Sequence, residues 1–204
     1  MLNIDDFFAA CTGLWVSERT YHYGLDGEIE RSHTEFQVDN IPDPDKRRIV
    51  TLSFPEGAIA PDQAGQCPGF SIAFDTVSEK GVKVGMKLSA LFVPENYLLG
   101  VEMPDPLPAP VAAQVAEDGE ILRGYYLRDE GYSEGGAIAG RFTYQPSRHA
   151  LEMTTVYSRS VAVDQMRLID PQTRLRTIVT YERPPEGQAP SIISLIGFGV
   201  ERKA

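Results

Sequence analysis

The most telling spacing in this 204-residue chain is Thr173-Arg174-Leu175-Arg176-Thr177-Ile178-Val179-Thr180-Tyr181. Drawn as a strand, it puts Arg174, Arg176, Ile178 and Thr180 on one face and Leu175, Thr177, Val179 and Tyr181 on the other. Two planar guanidinium forks side by side suit a ligand with two carboxylates, one bidentate grip for each. The same spacing suits two surface arginines that pair with acids on a neighbouring strand, and periodicity does not say which face is inside.

A second cluster runs Leu127-Arg128-Asp129-Glu130-Gly131-Tyr132-Ser133-Glu134 and continues in Ala139-Gly140-Arg141-Phe142. Gly131 suggests a tight turn, after which Tyr132 and Glu134 share a side of an extended chain, a ring beside an acid. Glu134 could accept ligand N–H groups or donate a proton, or simply answer Arg128 or Arg141 across a turn. Arg19 and His22 fall on opposite faces of one strand, so a regular strand brings at most one of them to a common cavity. Familiar catalytic signatures are missing: there is no G-x-S-x-G, no H-E-x-x-H and no phosphate loop, and His22, His33 and His149 have no metal-ligand spacing. A hydrolase or a metalloenzyme is therefore not indicated.

The elements that must position these residues are mostly strands. Ile4, Phe7, Phe8 and Cys11 recur at helical spacing behind a capping Asn3, which predicts a short helix over 4–11 that Gly13 ends. From Leu14 the period becomes two, and the alternation recurs near 28–38, 48–54, 70–75, 84–93, 97–103, 120–128, 137–144, 150–158, 161–169, 173–183 and 191–201. Turn clusters such as Pro42-Asp43-Pro44-Asp45 separate them, and Pro104 to Asp118 reads as a surface loop with one helical turn in Val111 to Val115. Short links favour antiparallel neighbours, so the chain is expected to form an all-β, antiparallel barrel of about ten strands with a short N-terminal helix. A β-sandwich is the alternative. A barrel of this size holds one small ligand. No repeat or composition shift divides it, so residues 1–204 are read as one domain.

With 29 acidic against 19 basic residues, the net charge of −10 has the wrong sign for a chain that coats phosphate backbones, and no nucleic-acid partner is expected. Two cysteines, Cys11 and Cys67, are too few for a disulfide scaffold and suit a reducing compartment. The opening residues carry no signal or transit pattern and no apolar run reaches the roughly 20 residues of a membrane span, so a cytoplasmic protein off the membrane is expected.

Taken in order, these motifs resemble those of the S-type phycobiliprotein bilin lyases (CpcS/CpeS), members of the calycin superfamily with the lipocalins. The resemblance rests on Gly13-Leu14-Trp15, Ser17-Glu18-Arg19-Thr20-Tyr21-His22, Leu127 to Glu134, Ala139 to Phe142, Asp170-Pro171-Gln172-Thr173-Arg174-Leu175-Arg176-Thr177 and the closing Gly197-Phe198-Gly199-Val200-Glu201. It implies a calycin barrel that binds an open-chain tetrapyrrole without a covalent bond. Such a protein delivers the pigment, such as phycocyanobilin or phycoerythrobilin, to a cysteine of a phycobiliprotein subunit as a thioether. The pigment is substrate, and no resident cofactor is implied. On that reading Arg174 and Arg176 clamp the two propionates, Arg19, Tyr132 and Phe74 line the pigment, and Glu134 and His22 handle protons. Typical members carry tryptophans near the segment Gly69 to Phe74, where this chain offers Phe70 and Phe74 as stacking rings. A non-catalytic bilin carrier, a partner subunit of a heteromeric lyase, or a calycin binding another apolar acid would share the clamp. Pairing with itself or with a related lyase through barrel-side contacts fits the same family.

Overall fold

The computed structural model describes residues 1–24, 26–100, 107–115, 119–131 and 134–204. Helix α1 (Ile4–Cys11) is capped by Asn3, whose Oδ1 accepts the Asp6 N–H at 2.8 Å, and Asp5 and Asp6 sit favourably at its positive end. Ten strands follow: β1 (Gly13–Tyr23), β2 (Ile29–Asn40), β3 (Gly69–Ser78), β4 (Lys83–Pro94), β5 (Leu122–Arg128), β6 (Ile138–Gln145), β7 (Ala150–Val156), β8 (Ser160–Asp170), β9 (Thr173–Glu182) and β10 (Ile193–Lys203). Each pairs antiparallel with the next, and β10 returns to β1 in the register Trp15↔Lys203 to Tyr23↔Leu195. That last pairing closes the barrel and removes the sandwich, because no sheet edge remains to be covered.

Two sequence expectations change. The strand expected over 48–54 is part of helix α2 (Asp43–Ser53), and the Pro42-Asp43-Pro44-Asp45 cluster is its start rather than a turn. Pro44 is tolerated in a first turn, where its missing N–H has no partner to lose, and Asp43 and Asp45 lie at the positive end. Together with α3 (Pro61–Gln66), α2 buries Ile49 in a cluster with Leu91, Val93, Tyr125 and Leu127 on the outside of β4 and β5. Those strands are thus covered on both faces, which explains the unbroken apolar run Ala90 to Val93. The strand expected over 97–103 is also absent among the described residues: Glu95–Tyr97 is a 3-10 turn, Leu98 makes only an isolated bridge to Ile59, and 101–103 lie outside them. The helical turn expected in Val111 to Val115 is a 3-10 turn over Val111–Ala113.

The core lies at one end of the barrel. Phe7, Phe8 and Cys11 of α1 pack with Trp15, Phe36, Phe92, Phe142 and Tyr144, all nearly or fully buried. The plug is pinned by polar contacts as well: Trp15 Nε1 donates to the Cys11 carbonyl at 2.9 Å, and the Tyr144 hydroxyl donates to the Leu2 carbonyl at 2.7 Å. The opposite end, where the β1–β2, β3–β4, β5–β6, β7–β8 and β9–β10 links lie, has no such helix among the described residues.

Candidate functional site

Above the plug the barrel is hollow. A cavity of about 480 Å³ is lined by inward side chains that include Arg19, Tyr21, Phe74, Tyr126, Arg128, Tyr157, Asp164 and Arg176. That size falls within the range of small-molecule sites. Space opens there because β10 turns glycines inward. A Cβ on Gly199 would stand 2.9 Å from Arg19 Cγ, and one on Gly197 would stand 2.7 Å from the Tyr21 ring. The bare backbone thus lets two large side chains of β1 cross it.

The floor of the cavity is an ion-pair layer. Glu201, fully buried, accepts from Arg174 Nε at 2.5 Å and from Arg19 Nη2 at 3.2 Å. Arg19 Nε also donates to Ser17 Oγ at 3.1 Å, and the Arg174 guanidinium lies 4.7 Å from the Trp15 ring centre. Burial pushes the Glu201 carboxyl up, but the Arg174, Arg176 and Arg19 charges outweigh it and hold it below the ordinary carboxylate range. The layer is therefore ionised at neutral pH.

One step higher, Arg176 Nη2 pairs with Asp164 Oδ2, while Asp164 Oδ1 is buried with no partner. Arg128, 1% exposed, donates to the Tyr157 hydroxyl at 2.5 Å and lies against the Tyr126 ring. Among the described residues, the lumen and its floor thus hold Arg19, Arg128, Arg174 and Arg176 against Asp164 and Glu201, four positive charges to two negative. A formal excess of two positive charges sits inside a chain of net −10.

The sequence-chosen residues are only partly brought together. Arg174 and Arg176 both point inward, so the strand's face is settled, but Arg174 is 2% exposed, locked into the floor by Glu201, and does not line the cavity. Arg19 takes its place beside Arg176. Phe74 lines the lumen, whereas Phe70 packs on Phe8 and Phe92 toward the plug. His22 faces outward, stacked on the exposed Phe198 ring, and reaches no cavity atom, as regular alternation without a bulge dictates. Glu134 does not line the lumen. It stands at the mouth, its Oε1 accepting the Ser158 N–H at 2.6 Å, and hydrogen bonding from the Ser158 side chain and backbone holds its carboxyl below the usual range. Neither expected partner answers it, since Arg128 turns to Tyr157 and Arg141 to Glu95. Tyr132 lies outside the described residues. The sequence reading missed Asp164 and Arg128. Alternation on β8 and β5 could have found both, because each shares the inward face with buried apolar neighbours. Both cysteines are buried, free thiols. Burial raises Cys11, and pushes Cys67 up to about 12, so neither offers a thiolate. Among the described residues no cluster of His, Cys, Asp or Glu could hold a metal ion, and no helix is long and apolar enough to cross a membrane.

The pattern shared by the family described as "CpeS-like protein" matches residues 3–96 and 106–204. This chain belongs to the CpeS-like family. A chromophore lyase CpcS/CpeS 1 from Synechococcus sp. (strain JA-3-3Ab) is 39% identical over 198 residues, covering 97% of this CpeS-like chain and 94% of the relative. A second chromophore lyase CpcS/CpeS, from Thermosynechococcus vestitus (strain NIES-2133 / IAM M-273 / BP-1), is 23% identical over 182 residues, with 87% and 84% covered. The solved S-type phycobiliprotein lyase CPES from Guillardia theta shares the barrel, with a TM-score of 0.66 at 15% identity over all of this chain and 93% of that one. The CpeS-like fold is thus the closed antiparallel barrel of ten strands that the sequence led one to expect.

Proposed function

We propose that this CpeS-like protein is a phycobiliprotein chromophore lyase that binds a bilin non-covalently in its lumen and delivers it to a cysteine of a phycobiliprotein subunit. The observation that carries this reading is the excess of two positive charges around a cavity closed at one end, which matches the two propionates of a linear tetrapyrrole. Arg19 and Arg176 hold the propionates, and Arg19 Nη1 has no protein partner among the described residues. Asp164 Oδ1, buried and unpartnered, accepts pyrrole N–H groups, while its other oxygen keeps Arg176 in place. Phe74, Tyr126 and Tyr157 supply the flat contacts that a conjugated pigment needs. Glu201 and Arg174 work beneath as supports, orienting Arg19 and raising the cost of moving it.

The chemistry asked of the chain is mainly positional. The acceptor's thiolate adds to the ring-A ethylidene, one C–S bond forms, the C=C bond becomes single, and a proton goes to the neighbouring carbon. No leaving group is produced. The chain holds one pigment conformer and keeps out competing nucleophiles, its own buried thiols included. The mouth beside Glu134 is where an acceptor cysteine would enter, and a reduced acceptor thiol fits work in the cytoplasm. Barrel-side pairing, as expected from the sequence, would use the exposed apolar stripe of Leu175, Ile196, Phe198 and Val200 outside β9 and β10.

Co-expression with a bilin-producing pathway and candidate phycobiliprotein subunits tests the proposal. A covalently coloured subunit that survives acid urea, formed only when this chain is present, is the expected result. Colour that stays on this chain and never reaches a subunit would make it a carrier, and no pigment on either would end the bilin reading.

A further inference from the structure

A second hollow, of about 600 Å³, lies outside the barrel between β5–β8 and the strap formed by residues 107–115. The strap is fixed in place. Leu107 is buried against Val161, Val163 and Tyr181, and the Ala112 N–H donates to the Tyr181 hydroxyl at 3.2 Å. Pro108 and Pro110 restrict the backbone between and beside those anchors.

The roof is apolar apart from Gln114, but the floor is not. Thr143 and Glu152 are directly paired across β6 and β7 and both line the hollow, which puts their Cβ atoms about 5 Å apart. Glu152 is 5% exposed, and its only hydrogen bond among the described residues comes from Gln165 at a long 3.4 Å. Thr143 Oγ1 is buried with no partner. Guanidiniums line the same hollow: Arg123, the cross-strand partner of Thr143, and Arg183 are exposed, and Arg141 reaches Glu95 at 3.2 Å. A buried carboxyl and an orphan hydroxyl form an incomplete acceptor set, and the arginines around the same hollow favour an anion there.

We infer that this hollow is a second ligand site, separate from the lumen, for a short aliphatic molecule carrying an ammonium group at one end and a carboxylate at the other. The ammonium, with three donors, satisfies Glu152 and Thr143 together, the chain lies under Pro108 to Pro110, and the carboxylate meets the arginines. Burial pushes Glu152 up to about 7, the Gln165 bond opposing weakly, and no arginine contributes to that shift. The charged groups around it are Arg123 of β5, Arg141 of β6, Glu95 in the 3-10 turn and Arg183 after β9. A cation bound to Glu152 draws the carboxyl to its ionised form, so affinity rises with pH through this range.

The test is calorimetric titration of the whole chain with 6-aminohexanoate at pH 8 and pH 5.5, alongside hexanoate and hexylamine. Saturable binding at pH 8, at least tenfold weaker at pH 5.5, weaker for hexylamine and lost for hexanoate is expected. Glu152→Gln should abolish binding and Thr143→Val weaken it severalfold, with circular dichroism and lumen binding of bilin unchanged in both. Absence of saturable binding to the natural chain, equal binding of hexanoate, or undiminished binding by folded Glu152→Gln would each overturn the inference, and none of these bears on the lumen.

Discussion

The two halves of the barrel are built from the same strands and the same alternation, yet one is packed and the other hollow. On β1 the inward series runs Trp15, Ser17, Arg19, Tyr21; on β9 it runs Arg174, Arg176, Ile178. The difference is written on β10, between them. Opposite Ser17 and Arg174 stands Glu201, whereas opposite Arg19 and Arg176 stands Gly199, and opposite Tyr21 and Ile178 stands Gly197. A carboxylate locks Arg174 into a structural floor, and two glycines leave the layers above it open. Alternation decides inward or outward. The residue across the pair decides filled or empty.

That contrast can be broken most severely at its hinge. Glu201→Leu leaves Arg174 buried without its counter-charge and frees Arg19, and should cost about 3–5 kcal/mol in urea unfolding, with bilin binding lost as well. The same layer gives an acid limit: because the folded Glu201 carboxyl is held below its ordinary 4.5, its contribution is complete above that value and disappears as pH falls below it. A stability profile that is flat between pH 5 and pH 3 would contradict the ionised floor. Outside the barrel the sign reverses. Glu152 is raised to about 7, so its burial weakens the fold increasingly from about 4.5 up to 7. Glu152→Gln should then be more stable than the natural chain at pH 8, by about 2–3 kcal/mol, relative to the difference at pH 4.

Smaller effects sharpen the contrast. Arg19→Ala should weaken bilin binding roughly 10–100-fold by absorption titration, and Gly199→Ala, by crowding Arg19 Cγ, should cost about 1–3 kcal/mol of stability together with some affinity. His22→Ala, outside the barrel, should leave bilin affinity within twofold; a larger loss would mean that the outward face contributes to the site.

Much of this arrangement is legible in the chain, and the illegible part has one cause. The helix at 4–11, the closed antiparallel barrel and the common face of Arg174 and Arg176 follow from local period. What period cannot supply is the strand opposite. Arg174 and Arg176 look equivalent along β9 and separate only when β10 sets Glu201 against one and Gly199 against the other. Asp164 becomes a site residue because β8 brings it beside Arg176, a neighbour distant in sequence. Asp43 to Ser53 misreads for a related reason: its single fully buried side chain, Ile49, packs on the barrel's exterior, so the segment lacks the broad apolar face by which a helix announces itself.

The central claim is that charge complementarity in the open half grips the pigment's propionates. Absorption titration of the natural chain and of Arg19→Ala with a free-acid bilin and with its dimethyl ester tests it directly. The account predicts that esterification weakens binding to the natural chain at least tenfold and makes little further difference to Arg19→Ala. An ester bound as tightly as the free acid by the natural chain would contradict it.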